Sequence, residues 1–361
     1  MINYGSKTIS VINKIIFIEA LNMSKIIGIT YDLKSDWQGT KDDPIDAAAE
    51  LDGHKTIECI KSALESVGHK VILIGGARQL IGRQANHDLK MDIVFNISEG
   101  FKGRNRESQV PAILDLYGIP FVGADALTLG VTLDKVMAKK CFIADGIPTA
   151  RYFKATMEDD LAELNTIGYP LFVKTLHEGT SKGITQHSRV EDFDQLKKQV
   201  EHICRNYDQP ALVEEFIKGT EFTVGVIGNE PPQAMPVVQY AMSGQTNLGN
   251  EFYSYRHVAE KLVEHICPAP IDGKLARRLQ DLAVRTYRSV DCRDFGRVDF
   301  RVDEAGDPYV LEINPLPNLS PDDVFMLFGQ VVGMSYNQII NKIMDEALKR
   351  LGHIREDAYK K

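Results

Sequence analysis

The stretch from Asp294 to Asp323, DFGRVDFRVDEAGDPYVLEINPLPNLSPDD, most constrains what this chain can fold into. It reads as a strand carrying Arg297 and Asp299, a turn at Glu304-Ala305-Gly306-Asp307, and a second strand from Tyr309 to Ile313. The second strand delivers Glu312 and Asn314 just ahead of a Pro-rich loop. Side chains alternate across a strand, so Arg297, Asp299 and Arg301 share one face and Val298, Phe300 and Val302 the other. Folded back as a hairpin, the segment brings Asp299 alongside Glu312 and Asn314. Two carboxylates and an amide oxygen are hard ligands suited to one or two Mg²⁺ that keep some water and complete their shell with phosphate. Arg297, on the same face, is placed to hold a developing anion. The competing reading is a surface hairpin with solvated charges, and only a nucleotide site elsewhere in the chain decides between the two.

At 361 residues the chain is long enough for two or three domains, each with its own core. A net charge of −8 and a pI near 5.7 argue against a nucleic-acid partner held by phosphate contacts. Cys59, Cys141, Cys204, Cys267 and Cys292 are dispersed, with no CxxC and no His at zinc spacing, as expected of reduced thiols in a cytoplasmic protein. No run approaches the roughly 18 apolar residues of a membrane span, so no membrane partner is expected. Ile9 to Asn22 is apolar but broken by Lys14 and Glu19 and lacks a small-residue cleavage site. Residues 1–22 therefore read as an upstream extension without a catalytic role, ahead of a natural beginning at Met23-Ser24-Lys25.

Taken in order, IIGITYDL (26–33) reads as a buried strand, followed by a polar segment and a helix through Thr56, Ile57, Ile60, Ala63 and Leu64. Val71–Ile74, Met91–Ile97 and IPFVG (119–123) supply further strands, and 107–117 a helix. The pattern is an open parallel α/β domain. Ligands in such sheets sit beyond the carboxyl ends of the strands, which places Glu99 and the loop Gly100–Gly103 at a substrate position. Arg104, Arg106 and Glu107 read either as substrate contacts or as ordinary loop charges. Asp134-Lys135 opens another helix. Strand 169–174 ends in Lys174, and Glu178-Gly179-Thr180-Ser181-Lys182-Gly183 is a tight loop before a returning strand from Ile184. Such a loop can turn backbone N–H groups toward phosphates while Lys174 supplies a point charge. It is not a Walker loop, since no GxxxxGK[ST] precedes a helix. Strand 211–217 carries Glu214, Glu215, Phe216 and Ile217, whose backbone can read an adenine edge, and it resumes at Phe222–Ile227 after Glu221, placed for ribose hydroxyls. Residues 241–257 have the composition of a lid. A helix over 273–290 precedes the hairpin, and 336–350 reads as an amphipathic helix.

The ordered series Lys135, Lys174 with EGTSKG, Glu214 to Glu221, then Asp299, Glu312 and Asn314 resembles the ATP-grasp superfamily, most closely its D-alanine–D-alanine ligase branch. The most specific segments are RESQVPAILDLYGIPFVG with LDK, EEFIKGTEFTVGV and GRVDFRVDEAGDPYVLEINPLP, and the likeness runs from about residue 26 to the C-terminal region. It implies an α/β (α+β) ATP-grasp fold: an N-terminal open parallel α/β domain (23–123), then central (124–212) and C-terminal (213–361) domains sandwiching ATP. It implies an ATP-dependent carboxylate–amine ligase acting through an acyl phosphate on amino-acid-like substrates, with two Mg²⁺ or Mn²⁺, as a homodimer. Lys135 and Lys174 would hold phosphates, with Glu178 and Gly179 also among the ATP-binding residues; Glu214, Glu215, Phe216 and Ile217 would line the adenine pocket; Glu221 would meet the ribose. Arg297, Lys174, Thr180 and Ser181 form the expected catalytic set, and Asp299, Glu312 and Asn314 the expected metal ligands. Glu99, Arg106, Tyr253, Tyr255, Arg256, Asn318 and Asp323 would face the substrates.

Three departures bear on specificity. The family's N-terminal substrate-gripping Glu has no clear equivalent in YDLKSDWQGT. The lid's Lys-Tyr pair falls on Val258 and Ala259, leaving Arg256 or Lys261 as substitutes. Asp323 stands where the family has a Ser for the substrate carboxylate, and an acid there repels a carboxylate. The expectation is altered specificity; the alternatives are a genuine D-alanine–D-alanine ligase of cell-wall synthesis, or a non-catalytic nucleotide-binding sensor or scaffold.

Overall fold

The computed structural model describes residues 24–358 apart from 89, 160, 163–166, 243 and 261, so the extension expected at 1–22 and the side chain of Lys261 lie outside the described residues. The N-terminal unit runs β1 (Ile26–Tyr31), α1 (His54–Glu65), β2 (Lys70–Leu73), α2 (Ala77–Ala85), β3 (Ile93–Ile97), α3 (Gln109–Leu116) and β4 (Phe121–Val122). Its four strands lie parallel in the order β2-β1-β3-β4. β3 is buried along its whole length, as helices on both faces of a parallel sheet require. Next come α4 (Ala126–Leu133) and α5 (Lys135–Ala144), each begun by an aspartate whose carboxylate accepts a first-turn N–H: Asp125 from Thr128 and Asp134 from Met137.

The second sheet is antiparallel: β5 (Tyr152–Ala155), β6 (Leu171–Thr175), β7 (Arg189–Val190) and, after α6 (Phe193–Tyr207), β8 (Ala211–Glu215), in the order β5-β8-β6-β7. The strand expected to return at Ile184 starts instead at Arg189. The third sheet holds β9 (Gly219–Ile227), β10 (Gln233–Ala234), β11 (Val238–Met242), then, after α7 (Tyr255–Ala259), β12 (Val263–Ile266), and, after α8 (Gly273–Ser289), β13 (Phe295–Asp303) and β14 (Pro308–Asn314). Its order is β12-β11-β9-β13-β14, with β10 paired to β9. α9 (Val324–Val331) and α10 (Tyr336–Ala358) end the described chain.

One correction decides where the site lies. The 211–227 segment reads in sequence as one interrupted strand, yet β8 belongs to the second sheet and β9 to the third. Between them the chain turns through Gly219 at φ 154, where a Cβ would lie 1.9 Å from the Val302 carbonyl oxygen. The two sheets are thereby set facing each other. The expected 212/213 boundary falls inside β8, and α4 and α5 contribute Leu129, Ala138 and Phe142 to the core beneath the third sheet.

The first and third units also share a core. Ile27, Phe95 and Val122 pack in one cluster with Phe295, Phe325, Phe328, Ile339 and Ile343. Beside it the buried Asp294 carboxylate accepts from Gly123 N (2.8 Å), Asn229 Nδ2 (3.0 Å) and Arg350 Nε and Nη2 (2.9 and 2.8 Å). The second sheet has a separate core with α6, whose Leu196, Val200 and Ile203 recur at helical spacing.

Candidate active site

The cleft between the second and third sheets gathers most of the residues expected from sequence: Lys135, Lys174, Glu178, Thr180, Ser181, Glu214 to Ile217, Glu221, Tyr253, Arg297, Asp299 and Glu312. Gly179 and Asn314 line the adjoining recess with Glu99.

The β13–β14 hairpin forms as its alternation implies. Asp299 lies opposite Glu312 and Arg297 opposite Asn314, with Leu311 bulged out of register. Arg297 donates from Nε and Nη2 to the two Asp299 oxygens, both at 3.1 Å, and Thr223 donates its hydroxyl to the same carboxylate (2.5 Å). Lys135 Nζ stands 3.4 Å from Glu312 and also donates to the Glu178 carbonyl. Burial alone would raise the Glu312 carboxyl, but Lys135, Lys174 and Arg297 outweigh it and hold it below its ordinary value. Among the described residues no three His, Cys, Asp or Glu side chains converge as a metal site. The donor set is two acids and the Asn314 amide, whose oxygen already accepts from Leu316 N (2.9 Å). That incomplete set suits Mg²⁺, which binds through one or two carboxylates and takes further ligands from water and phosphate.

At the other wall, Lys174 pairs with Glu214 at 2.9 Å, and Lys139, absent from the sequence reading, pairs with the other carboxylate oxygen at 2.5 Å. All three side chains are buried. Burial opposes the Glu214 charge, yet the two ammonium groups bring its carboxyl down to about 2. Lys174 is raised, its acids outweighing the penalty of burial. Lys139 sits one helical turn after Lys135, and that i,i+4 spacing was the available signal. In the EGTSKG loop Thr180 and Ser181 take left-handed φ of 47 and 56, which folds the loop tip over the cleft.

At the end of the cleft expected to take the base, the Phe216 ring lies 6.1 Å from Phe172, and Phe252, in the segment expected to be a lid, is edge-on to Phe172 at 4.9 Å. Glu215 faces outward to Arg151 (2.9 Å). Glu221 is paired with Arg301 at 2.6 Å.

The recess toward the N-terminal sheet is strongly acidic. Glu50, from the segment after YDLKSDWQGT, brings an acid of the N-terminal unit into this recess, its side chain 8% exposed. Its carboxylate accepts from Gly179 N and Arg106 (2.8 Å) and pairs with Lys182 at 3.0 Å. Burial raises Glu50, but Arg106 and Lys182 prevail and lower it. Arg106 is thus enclosed by protein groups, including the His177 carbonyl at 2.7 Å. Glu107 is pushed to about 7 by burial, against the opposing charge of Arg106, and Glu99 well above its ordinary value by burial and then by Glu107 and Glu50. Asp52, Glu99 and Asn318 line a small adjoining pocket, with Asp52 raised to about 7 by burial. Asp323 caps α9 through Phe325 N (3.2 Å), and burial, with Asp299 against Arg297, raises its carboxyl.

The lid only partly matches expectation. Tyr253 lines the cleft, its ring 5.4 Å from that of Tyr240. Tyr255 and Arg256 line a separate groove against α6, and exposed Arg256 pairs with Glu260 at 3.0 Å. Arg256 is thus not brought to the phosphates as a substitute lysine.

Residues 142–345 match the family model for the D-ala D-ala ligase C-terminus. An uncharacterized protein, y4sG, of Sinorhizobium fredii is 34% identical over 81% of this chain and 87% of its own length. A D-alanine–D-alanine ligase of Acetivibrio thermocellus is 32% identical over 72% of this chain and 69% of its own. Among solved structures, the ATP complex of the D-alanine–D-alanine ligase of Bacillus anthracis superposes with a TM-score of 0.70 at 22% identity, covering 93% of this chain and all of that one. The VanG D-Ala:D-Ser ligase of Enterococcus faecalis gives 0.70 at 21% identity, over 90% of this chain and all of that one. The fold is ATP-grasp, and the chain belongs to the D-alanine–D-alanine ligase family of ATP-dependent ligases.

Proposed function

We propose that this chain joins a carboxylate to an amine with ATP, through an acyl phosphate, on an amino-acid-like pair other than two D-alanines. The observation that carries the ligase reading is the convergence of Lys135, Lys174 and Arg297 with Asp299 and Glu312 in one cleft, with Asn314 in the recess that adjoins it. Lys135, Lys174 and the loop at Thr180 and Ser181 hold the triphosphate as the substrate carboxylate attacks the γ-phosphorus and ADP leaves. The amine then attacks the acyl carbon, Arg297 holds the tetrahedral oxyanion, and phosphate departs as the amine loses a proton. Asp299, Glu312 and Asn314 would hold Mg²⁺, which neutralises crowded phosphate oxygens. Arg297 pairs with Asp299 and Lys135 with Glu312; with the two acids holding metal, the two cations would be free for anionic oxygens.

Altered specificity rests on the other end of the cleft. Asp323, when ionised, repels a free carboxylate at the expected acceptor position, whereas burial raises Asp52 to about 7 and Glu99 well above its ordinary value, so these two oppose one only as they ionise. An amine acceptor whose carboxylate is absent or masked fits this recess better. We further infer a cytoplasmic homodimer; all five cysteines are free, and no described helix is long and apolar enough to cross a membrane.

The test is phosphate release from ATP and Mg²⁺ across a panel of D- and L-amino acids, other small acids and amines, with mass spectrometry of the product. Amide formation from a pair other than two D-alanines is expected. D-alanyl-D-alanine as the main product overturns the specificity reading. Nucleotide binding without turnover across the panel overturns the ligase reading in favour of a sensor.

A further inference from the structure

Arg301 sits at the base end of the nucleotide cleft and is not among the residues assigned to phosphate, metal or substrate. It is 4% exposed, and its guanidinium carbon lies 4.7 Å from the Phe216 ring centroid. Nη1 donates to Glu221 at 2.6 Å, the carboxylate expected to meet the ribose. Nη2 reaches out of the third sheet to the lid, donating to the carbonyls of Gly249 (3.0 Å) and Glu251 (2.6 Å). Glu221 in turn accepts from the backbone N–H of Tyr253. Three alternate lid residues, 249, 251 and 253, are therefore bonded to one buried ion pair. The residue between the last two, Phe252, sends its ring into the aromatic cluster with Phe172 and Phe216. The Gly249 carbonyl also accepts from Gly219 N at 3.2 Å, at the crossing between the two sheets. Arg301 Nε–H is buried without an acceptor among the described residues.

We propose that Arg301 is a positioning residue that latches the lid over the nucleotide, acting through Glu221; this rests on the nucleotide reading above. An arginine suits the role because its planar fork reaches a carboxylate and two carbonyls at once, which a lysine ammonium does not do in the same geometry. Ribose hydroxyls meeting Glu221 fix one side of the pair, and Arg301 transmits that order to residues 249–253. A latched lid keeps water from the acyl phosphate, so loosening it also raises phosphate release relative to amide formed.

The experiment is hydrogen exchange of the full chain over residues 246–254, with and without Mg²⁺ and the non-hydrolysable analogue adenylyl imidodiphosphate, plus the dissociation constant of that analogue. The wild-type protein should exchange more slowly in this segment when the analogue binds, by about tenfold. Arg301→Met should lose that protection and weaken the analogue about tenfold, and Arg301→Lys should restore only part of both. Glu221→Gln, which keeps the shape, should give the same loss of lid protection and carries the test if Arg301→Met fails to fold. Unchanged protection and affinity in a folded variant overturn the latch. A wild-type protein that does not bind the analogue overturns the nucleotide reading and the latch with it.

Discussion

Replacing Glu214 with Gln removes one negative charge from between two buried ammonium groups. In the wild-type fold the carboxyl titrates at about 2 instead of its ordinary 4.5, and each pKa unit corresponds to about 1.4 kcal/mol. The ionised carboxylate thus contributes about 3 kcal/mol to stability at neutral pH, in line with the loss seen when a buried pair is broken. The folded value lies below the unfolded one, so the contribution is present above pH 4.5 and is lost as pH falls through 2. At pH 3 about 1 kcal/mol of it remains. Urea unfolding of wild type and Glu214→Gln, followed by circular dichroism at pH 7 and pH 3, should therefore show a stability gap that narrows by about 2 kcal/mol on acidification. A gap of equal size at both pH values, or one below about 1 kcal/mol at pH 7, refutes the argument that Lys139 and Lys174 hold this charge.

Glu312→Ala should reduce ATP turnover at least about a hundredfold with the thermal transition nearly unmoved, since phosphate charge is left uncompensated; near-normal turnover in a folded protein removes Glu312 from the metal set. Asp323→Ser should improve the use of D-alanine as acceptor, read as kcat/KM for dipeptide formation, and an unchanged acceptor preference discards the repulsion argument. Asp52 works in the opposite sense to Glu214: burial raises its folded value to about 7, so its contribution to stability is present below pH 3.8 and lost as pH rises through about 7. Asp52→Asn should therefore raise the urea midpoint at pH 8 and change it little near pH 4; equal effects at both ends of the range dismiss the buried acid as the cause.

The hairpin was legible because its information is local: alternation sets the face, and the Gly306 turn and β-forming strands set the pairing. The parallel N-terminal unit was legible for the same reason, as strand and helix periods alternate along the chain. Glu50 was not. It lies in a polar segment without periodicity, and its place is set by Gly179, Arg106 and Lys182, all distant in sequence. The crossing at Gly219 was hidden because strand formers stand on both sides of it, Phe216 and Ile217 before and Thr220 and Phe222 after; its φ of 154 and the nearby Val302 carbonyl mark where the chain passes to another sheet. In the lid, Arg256 had suitable chemistry and spacing, but α7 turns it outward.

The shared core and the Asp294 junction have a consequence for motion. The N-terminal sheet and the third sheet travel as one body, whereas the second sheet, with its separate core, is joined by the chain near Ala150 and again near Gly219. We infer that the second sheet is the part free to move as the cleft opens, about those two crossings. Opening must part the contacts that tie the EGTSKG loop and its neighbour His177 to the N-terminal unit: Arg106 to the His177 carbonyl, Glu50 to Gly179 and Lys182, and Asp46 to Gly183. Asp52, Glu99 and Asp323 all ride on the stationary body. The acids at the expected acceptor end are thus carried by the body with the shared core, not by the EGTSKG loop.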